Sequence, residues 1–381
     1  MKIGIDVRTL MDRRFSGVSE YTFNLVKEIL RQDRSDQFIL FYNSWKKIEL
    51  PRIDETGARI AKLGFPNKIF NYLLQKTLCY PKLDHLLGTD LFFLPHINFA
   101  ALERPERAVL TIHDLSFLRY PHHFSLRKNC WHKLLAVKRL ARSCGRIVAI
   151  SENTKRDIVE LFQIDQSKIS VIHSGLSPGF SPADQGDAGL DAVRVKYGLP
   201  AKFILFLGTV EPRKNLVGLI GAYEKMIAAS PSLADFELVI AGARGWKTES
   251  IFDKWERSPL KDRITFLGYV DTADKRHLYN LASLFVYPSF YEGFGFPPLE
   301  AMACGIPTAV SSSSSLPEIC GSAAMLFDPY DESDIARAMS LILSDGVLSV
   351  DLADRGMARA ADFSWQAAAA RYISLFRSIA S

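Results

Sequence analysis

One pattern constrains this chain more than any other: strand-length apolar runs alternate with longer amphipathic segments, and the alternation is played twice. In the first 175 residues the runs are Ile3–Val7, Phe38–Phe41, Leu91–Leu94, Val109–Ile112, Ile147–Ile150 and Ile169–Ile172, all rich in β-branched or aromatic residues. Between some of them Val18, Tyr21, Leu25 and Ile29 recur at a spacing near 3.6, as do Ile158, Leu161 and Phe162. Strand, helix and strand in repetition predict a parallel sheet covered by helices. The pattern breaks over Ser174–Pro200, where Gly175, Pro178, Gly179, Pro182, Gly186, Gly189 and Pro200 read as a linker. It then resumes with strand Phe203–Leu207, a helix around Leu216–Ile227, strands Leu238–Ile240 and Ile264–Leu267, a helix around His277–Leu281 and strand Leu284–Tyr287. The economical architecture is two parallel-sheet domains joined by a hinge, each binding ligands at the carboxyl ends of its strands. Near the end, Ser364 can cap a helix with Trp365, Ala369, Tyr372, Phe376 and Ile379 on one stripe. That stripe must bury against something, and the first domain is the candidate.

Composition narrows the functional classes. With 381 residues, 48% hydrophobic and 23% charged, the chain is long enough for about two domains and is unlike a disordered polymer. Its five cysteines, Cys79, Cys130, Cys144, Cys304 and Cys320, lack the short paired spacings of zinc or disulfide frameworks, so a reducing cytoplasm is expected. No apolar run approaches the roughly 18 residues of a membrane span, and Asp6 interrupts the N-terminal apolar stretch where a signal peptide needs continuity. The net charge of +5 is too small to imply nucleic acid by itself. Its distribution is uneven. Between Asp114 and Glu152 there is no acidic residue, while Arg119, Arg127, Lys128, Lys133, Lys138, Arg139, Arg142 and Arg146 gather among Phe117, Tyr120, Phe124 and Trp131. A second acid-free stretch, Lys62–Lys82, interleaves Lys68 and Lys76 with Phe65, Phe70, Tyr72, Leu73 and Leu74. Both stretches suit an anionic surface, and both equally suit a solvated helix face over an ordinary core.

Four segments carry chemistry. In Ser289-Phe290-Tyr291-Glu292-Gly293-Phe294-Gly295-Phe296-Pro297-Pro298-Leu299-Glu300-Ala301-Met302-Ala303-Cys304-Gly305, the two prolines suit a first helical turn and Gly305 a stop. The amides of Phe294–Phe296 and of the helix start would face an anion such as a phosphate. Glu292 and Glu300 flank that site, each able to hold sugar or ribose hydroxyls; alone, Glu300 also reads as a first-turn glutamate favouring the helix dipole. In Leu207-Gly208-Thr209-Val210-Glu211-Pro212-Arg213-Lys214-Asn215, two adjacent cations occupy a strand-to-helix turn where a diphosphate would sit, although exposed basic turns are common. Thr111-Ile112-His113-Asp114 ends a first-domain strand, placing a histidine to donate to a substrate hydroxyl or to serve as a structural residue. Phe15-Ser16-Gly17-Val18 opens the first helix, with Gly17 permitting close backbone approach.

Over nearly the whole chain these residues resemble the nucleotide-sugar-dependent retaining glycosyltransferases of the GT-B fold, family 4. The Glu292-x7-Glu300 element in its Gly-Phe-Gly-Phe-Pro-Pro-Leu-Glu-Ala-Met-Ala-Cys-Gly context carries most of the resemblance, joined by Gly208–Asn215, His113-Asp114, Ser151-Glu152-Asn153-Thr154 and Gly17. The resemblance implies an α/β fold of two Rossmann-like domains facing each other across a cleft: an acceptor-side domain of residues 1–175 with 362–381, and a donor domain of residues 176–361. It implies Glu292, His113, Arg213 and Lys214 as catalytic residues. The implied donor contacts are Gly17, Ser151, Gly208, Arg213, Lys214, Glu292, Gly293, Phe294, Gly295, Phe296 and Glu300. Of these, Glu300 would hold the ribose, Glu292 the transferred sugar, and Arg213 with Lys214 the leaving diphosphate; His113 would touch the donor sugar. Many members carry arginine where this chain has Thr209, so one phosphate contact is missing and Arg213 has more charge to supply. No metal or other cofactor is implied, and the chain has no Asp-x-Asp triplet.

The Glu211–Asn215 variant and the Tyr291–Pro297 context resemble bacterial mannosyltransferases of surface-polysaccharide assembly. This implies GDP-mannose as donor and a saccharide or polyprenyl-diphosphate-linked saccharide as acceptor, with peripheral contact of the basic aromatic stretches at the cytoplasmic face of an anionic membrane. A nucleotide-sugar epimerase of the same fold is the alternative reading. A non-catalytic nucleic-acid binder using Arg119–Arg146 is a weaker one, because a binder needs no carboxylates beside an anion site.

Overall fold

Thirteen strands form two separate parallel sheets in the structure, a computed structural model that describes residues 1–11, 17–48, 50–51, 53, 57–73, 79–184 and 186–380. Phe15, Ser16, Leu74 and Lys76, together with the side chains of Lys68 and Tyr72, lie outside the described residues. The first sheet contains β1 (Lys2–Asp6), β2 (Gln37–Asn43), β3 (Arg59–Leu63), β4 (Leu91–Leu94), β5 (Ala108–Ile112), β6 (Arg146–Ala149) and β7 (Ile169–Val171), in the order β3-β2-β1-β4-β5-β6-β7. The second contains β8 (Phe203–Leu207), β9 (Glu237–Ala241), β10 (Ile264–Gly268), β11 (Leu284–Tyr287), β12 (Thr308–Ser311) and β13 (Met325–Phe327), in the order β10-β9-β8-β11-β12-β13. The inner strands are apolar on both faces, as a sheet covered on both sides requires.

The chain divides into one unit of Met1–Arg119, Leu126–Gly175 and Ser364–Ser381, and a second of Tyr120–Ser125 and Leu176–Phe363. In the first unit the helix Gly17–Gln32 turns Tyr21, Leu25, Val26 and Ile29 inward. The helix Trp365–Ala380 packs against it: the Tyr21 and Tyr372 hydroxyls stand 2.6 Å apart, and Tyr372 reaches Thr111 Oγ1 on β5 at 2.8 Å. Ser364 caps that late helix, its Oγ accepting from Ala367 N at 3.1 Å.

Residues 120–125, which the sequence pattern assigns to the first domain, belong with the second unit. Trp246 Nε1 donates to the His123 carbonyl at 2.8 Å, and Phe124 stacks on Trp246 with centroids 5.9 Å apart. Asp362 and Phe363 also join it, Leu176 N donating to the Phe363 carbonyl at 3.0 Å.

The stretch 174–200 is not linker throughout, since it holds the helix Ala188–Tyr197. Asp187 caps it by accepting from Gly189 N at 2.9 Å, and Gly198 ends it at φ 60°. A Cβ on Gly189 would lie 2.4 Å from His277 Nε2, so this glycine serves close packing, not flexibility.

The long acid-free run acquires acidic partners in three dimensions. The helix Glu152–Phe162 supplies Asp157 at 2.7 Å from Arg119 and also pairs it with Glu160; the helix's carbonyls at Leu161 and Phe162 accept from Lys138 and Arg142. The helix Leu126–Leu135 differs, leaving Leu126, Trp131 and Leu134 exposed among Arg127 and Lys133. In the second acid-free stretch Phe70 is core and Phe65 is exposed. Among the described residues no helix is long and apolar enough to cross a membrane.

Candidate active site

In the second unit the site is built from loops at the carboxyl ends of β8, β11 and β12. Gly208 follows β8, and its N–H donates to the Ala241 carbonyl at 2.9 Å; Val210 N then donates to the Ala243 carbonyl at 3.0 Å. The two loops touch because Gly242 adopts φ 143°, and a Cβ there would fall 1.9 Å from the Gly208 carbonyl oxygen. Pro212–Lys214 make one 3-10 turn closed by Asn215 at φ 55°. The Asn215 side chain caps the helix Leu216–Ala229 by accepting from Gly218 N at 3.3 Å and ties the turn to the Pro329 carbonyl at 2.7 Å. The basic turn is therefore fixed and largely buried, with Lys214 only 6% exposed. Thr209, by contrast, is exposed.

Arg213 and Lys214 converge on Glu292. Lys214 Nζ donates to Glu292 Oε1 and to the Tyr287 hydroxyl, both at 2.6 Å, and Arg213 Nη1 lies 3.0 Å from Glu292 Oε2. Arg213 also donates through Nε and Nη2 to Glu211 Oε1 at 3.1 and 2.7 Å, and through Nη1 to the Tyr291 carbonyl at 2.5 Å. Two cations face two carboxylates. Burial alone would raise the Glu292 carboxyl, but the charges of Arg213 and Lys214 outweigh it and hold the group at about 2. Glu292 is thus ionised at neutral pH, while burial lowers the Lys214 ammonium against the pull of that carboxylate, and the donors of Arg213 and Lys214 are already oriented toward one point.

The loop that carries Glu292 is pinned by a serine run. Glu292 N donates to Ser314 Oγ at 2.8 Å, and Ser315 Oγ stands 2.9 Å from the Glu292 carbonyl and 2.7 Å from that of Phe294. Gly293 and Phe294 are buried in this loop. Gly295, at φ 128° and with its missing Cβ 2.9 Å from Leu316 Cδ2, starts the helix Phe296–Ala303, which carries two prolines in its first turn. Glu300 is not in the first turn as a dipole-complementing residue would be. It lies one turn further on, 2% exposed, and accepts from the Tyr279 hydroxyl at 2.8 Å. Glu292 and Glu300 therefore have different neighbours, a cationic pair for one and a buried phenol for the other.

The remaining predicted residues lie in the first unit. Gly17 is the exposed first residue of its helix. His113 follows β5 with Nε2 2.8 Å from the Pro95 carbonyl. A carbonyl only accepts, so Nε2 carries the proton, and burial lowers the ring's pKa and keeps it neutral. His113 accordingly offers Nδ1 as an acceptor, whereas the sequence pattern pictures it donating to a hydroxyl. Ser151 is fully buried and caps its helix by accepting from Thr154 N at 3.1 Å; Thr154 Oγ1 in turn donates to the His113 carbonyl at 3.2 Å. Ser151 thus touches the end of β5 through Thr154.

Sequence reasoning did not single out Glu211, Tyr287, Gly242, Ser314 or Ser315. Glu211, two residues before Arg213, was the readable signal, while the glycine and the serines become informative only once the loops are in contact. Among the described residues no group of three or more histidine, cysteine or acidic side chains is arranged to hold a metal ion.

Comparison with known proteins identifies the family. Residues 192–359 match the family described as Glycosyl transferases group 1, and residues 15–180 match Glycosyltransferase Family 4. The chain is 30% identical over 380 residues to O-antigen chain mannosyltransferase B of Escherichia coli, covering 95% of this chain and 96% of that protein. It is 34% identical over 275 residues to the serotype-specific mannosyltransferase WbdA of Escherichia coli, covering 71% of this chain but only 33% of that protein. A sucrose-phosphate synthase structure from Thermosynechococcus elongatus superposes with a TM-score of 0.76 at 19% identity, covering 99% and 98% of the two chains, and shows the shared two-sheet fold. With both halves matched in order and a full-length relative at 30% identity, the chain belongs to the family 4 glycosyltransferases of GT-B fold.

Proposed function

We propose that this hexosyltransferase moves mannose from GDP-mannose to a hydroxyl of a saccharide acceptor, with retention at the anomeric carbon and without a metal ion, in the assembly of a surface polysaccharide. The observation that carries the reading is the convergence of Arg213, Lys214 and Glu292, two cations and a carboxylate at one point, in a chain similar along its length to an O-antigen mannosyltransferase. In the proposed reaction the bond from the mannosyl C1 to the diphosphate oxygen breaks while the acceptor oxygen bonds to C1 on the same face. The acceptor's proton passes to the departing diphosphate oxygen. Arg213 and Lys214 stabilise the charge that develops on that oxygen, the electrostatic role a divalent ion plays elsewhere. Glu292 then exchanges part of its cationic contact for hydroxyls of the sugar. Glu300 holds the ribose, and Gly208 and the loop Gly293–Phe296 lie against the phosphates and sugar.

The proposed acceptor is linked to a polyprenyl diphosphate, and the exposed Leu126, Trp131 and Leu134 among Arg127 and Lys133 are the features suited to an anionic bilayer at the cytoplasmic face. A thermal-shift panel of GDP- and UDP-sugars tests the donor, since a ligand at a hundred times its dissociation constant adds about 2.7 kcal/mol of stability. Stabilisation by UDP-sugars and not by GDP-mannose would overturn the donor assignment. Incubation of donor without acceptor separates transfer from epimerisation, because an epimerase needs no second substrate. Transfer should persist in EDTA, and low-salt co-sedimentation with vesicles containing anionic lipid should be lost in Trp131→Ala with Leu134→Ala.

A further inference from the structure

At the carboxyl edge of the first sheet stands a polar group outside the donor contacts above. The strand order turns at β1: β2 and β3 lie on one side of it and β4 to β7 on the other. In open parallel sheets a crevice that takes ligands lies at such a reversal. Asp6 ends β1, Arg8 follows it by two residues, and His96 follows the neighbouring β4 by two residues. Asp6 is fully buried and accepts from Arg8 Nε at 2.9 Å and from Nη2 at 2.6 Å. Nη2 also donates to the Phe99 carbonyl at 2.7 Å, and the rings of Phe41 and Phe70 flank the guanidinium at 5.5 and 5.8 Å. This arginine is 7% exposed and held on every side, yet its Nη1 is buried with no acceptor. Nδ1 of His96 is buried with no partner as well.

Buried polar atoms are nearly always paired, so two orphans on adjacent strand ends indicate a partner that is not part of the chain. Charge selects its class. Asp6 cancels Arg8, and burial, with Arg8 and His113 acting in the same direction, keeps His96 neutral with a pKa of about 4. An anion would find no net positive charge there. A hydroxyl fits, because it accepts from an N–H and donates to a ring nitrogen through one oxygen.

We propose that Arg8 Nη1 and His96 Nδ1 form a subsite for a hydroxyl of the saccharide acceptor. Arg8 donates to the hydroxyl oxygen, and His96, protonated on Nε2, accepts the hydroxyl hydrogen. Asp6 is a positioning residue that fixes the guanidinium plane. The assignment rests on the reading that the acceptor is a saccharide, but it does not depend on the donor.

The test is a titration of the full chain, labelled with 15N in its eight histidines, with methyl α-mannopyranoside and separately with inorganic phosphate. The His96 ring signals are identified as those missing from His96→Phe. The mannoside should move His96 Nδ1 and phosphate should not, and Arg8→Met should raise the mannoside dissociation constant at least tenfold. A His96 ring that ignores the mannoside, or that responds to phosphate instead, overturns the proposal, as does unchanged affinity in Arg8→Met. If Arg8→Met does not fold, the wild-type titration still decides. Failure of GDP-mannose to act as donor, with the His96 response intact, would sink the donor reading and leave this one standing.

Discussion

Lys214 Nζ lies 2.6 Å from Glu292 Oε1, and both residues are less than a tenth exposed although 78 positions separate them in the chain. Removing Glu292 leaves Lys214 buried without its carboxylate, and removing Lys214 leaves Glu292 with Arg213 as its remaining cation. Lys214→Met should abolish sugar transfer and destabilise the fold by about 3–5 kcal/mol, the usual cost of breaking a buried pair from one side. Lys214→Met combined with Glu292→Gln should recover much of that stability in denaturant unfolding and none of the transfer. Near-normal turnover in either single variant would be incompatible with the site as drawn.

Glu211 holds the Arg213 guanidinium in place. Its Oε1 accepts two N–H bonds from the guanidinium, so Glu211→Gln keeps the shape but weakens both bonds. Steady-state kinetics should show the KM for donor rising several-fold with a smaller fall in kcat. A change confined to the acceptor KM would count against this role.

Acid should destabilise the protein in two stages. His96 and His123 are held at about 4, below the ordinary 6.5, chiefly by burial, so their contribution is complete above pH 6.5 and is lost as pH falls from 6.5 toward 4. Glu292, held at about 2 against an ordinary 4.5, contributes above pH 4.5 and loses that contribution between 4.5 and 2. Unfolding free energies measured by urea across this range should show both slopes. The first should be shallower in His96→Asn, and a wild-type profile flat from pH 7 to 4 would contradict the burial of these rings.

Tyr372 bridges Tyr21 and Thr111 through one hydroxyl. Tyr372→Phe leaves both partners buried without it, and a loss of about 1–3 kcal/mol is expected in denaturant unfolding. Tyr21 also meets the His113 ring edge-on at 4.5 Å, so the substitution should move the His113 ring resonances too.

Much of this molecule is legible in its sequence because inner strands of a covered parallel sheet must be apolar on both faces. Leu91–Leu94, Phe203–Leu207 and Leu284–Tyr287 stand where the pattern puts them. The pattern does not reveal β3, whose exposed edge carries Arg59 and Lys62, nor β12 and β13, which are too short or too polar to stand out. Arg213, Lys214 and Glu292 were readable as charges needing a common partner. That Glu211 completes the pairing, and that Glu300 faces Tyr279 a turn away from it, depends on side-chain directions that spacing does not encode. The Asp6, Arg8 and His96 group was invisible for the same reason, since its two ends join only through the pairing of β1 with β4.

The first sheet is covered in part by the helix Trp365–Ala380, which the ribosome makes after the whole of Leu176–Phe363. During synthesis the earlier half must therefore wait, with Tyr21 and Thr111 unsealed, while the later half emerges and can finish folding first. Such a nascent chain offers chaperones an open apolar flank until that helix docks, and any lesion that halts translation before residue 364 would spoil the half already made.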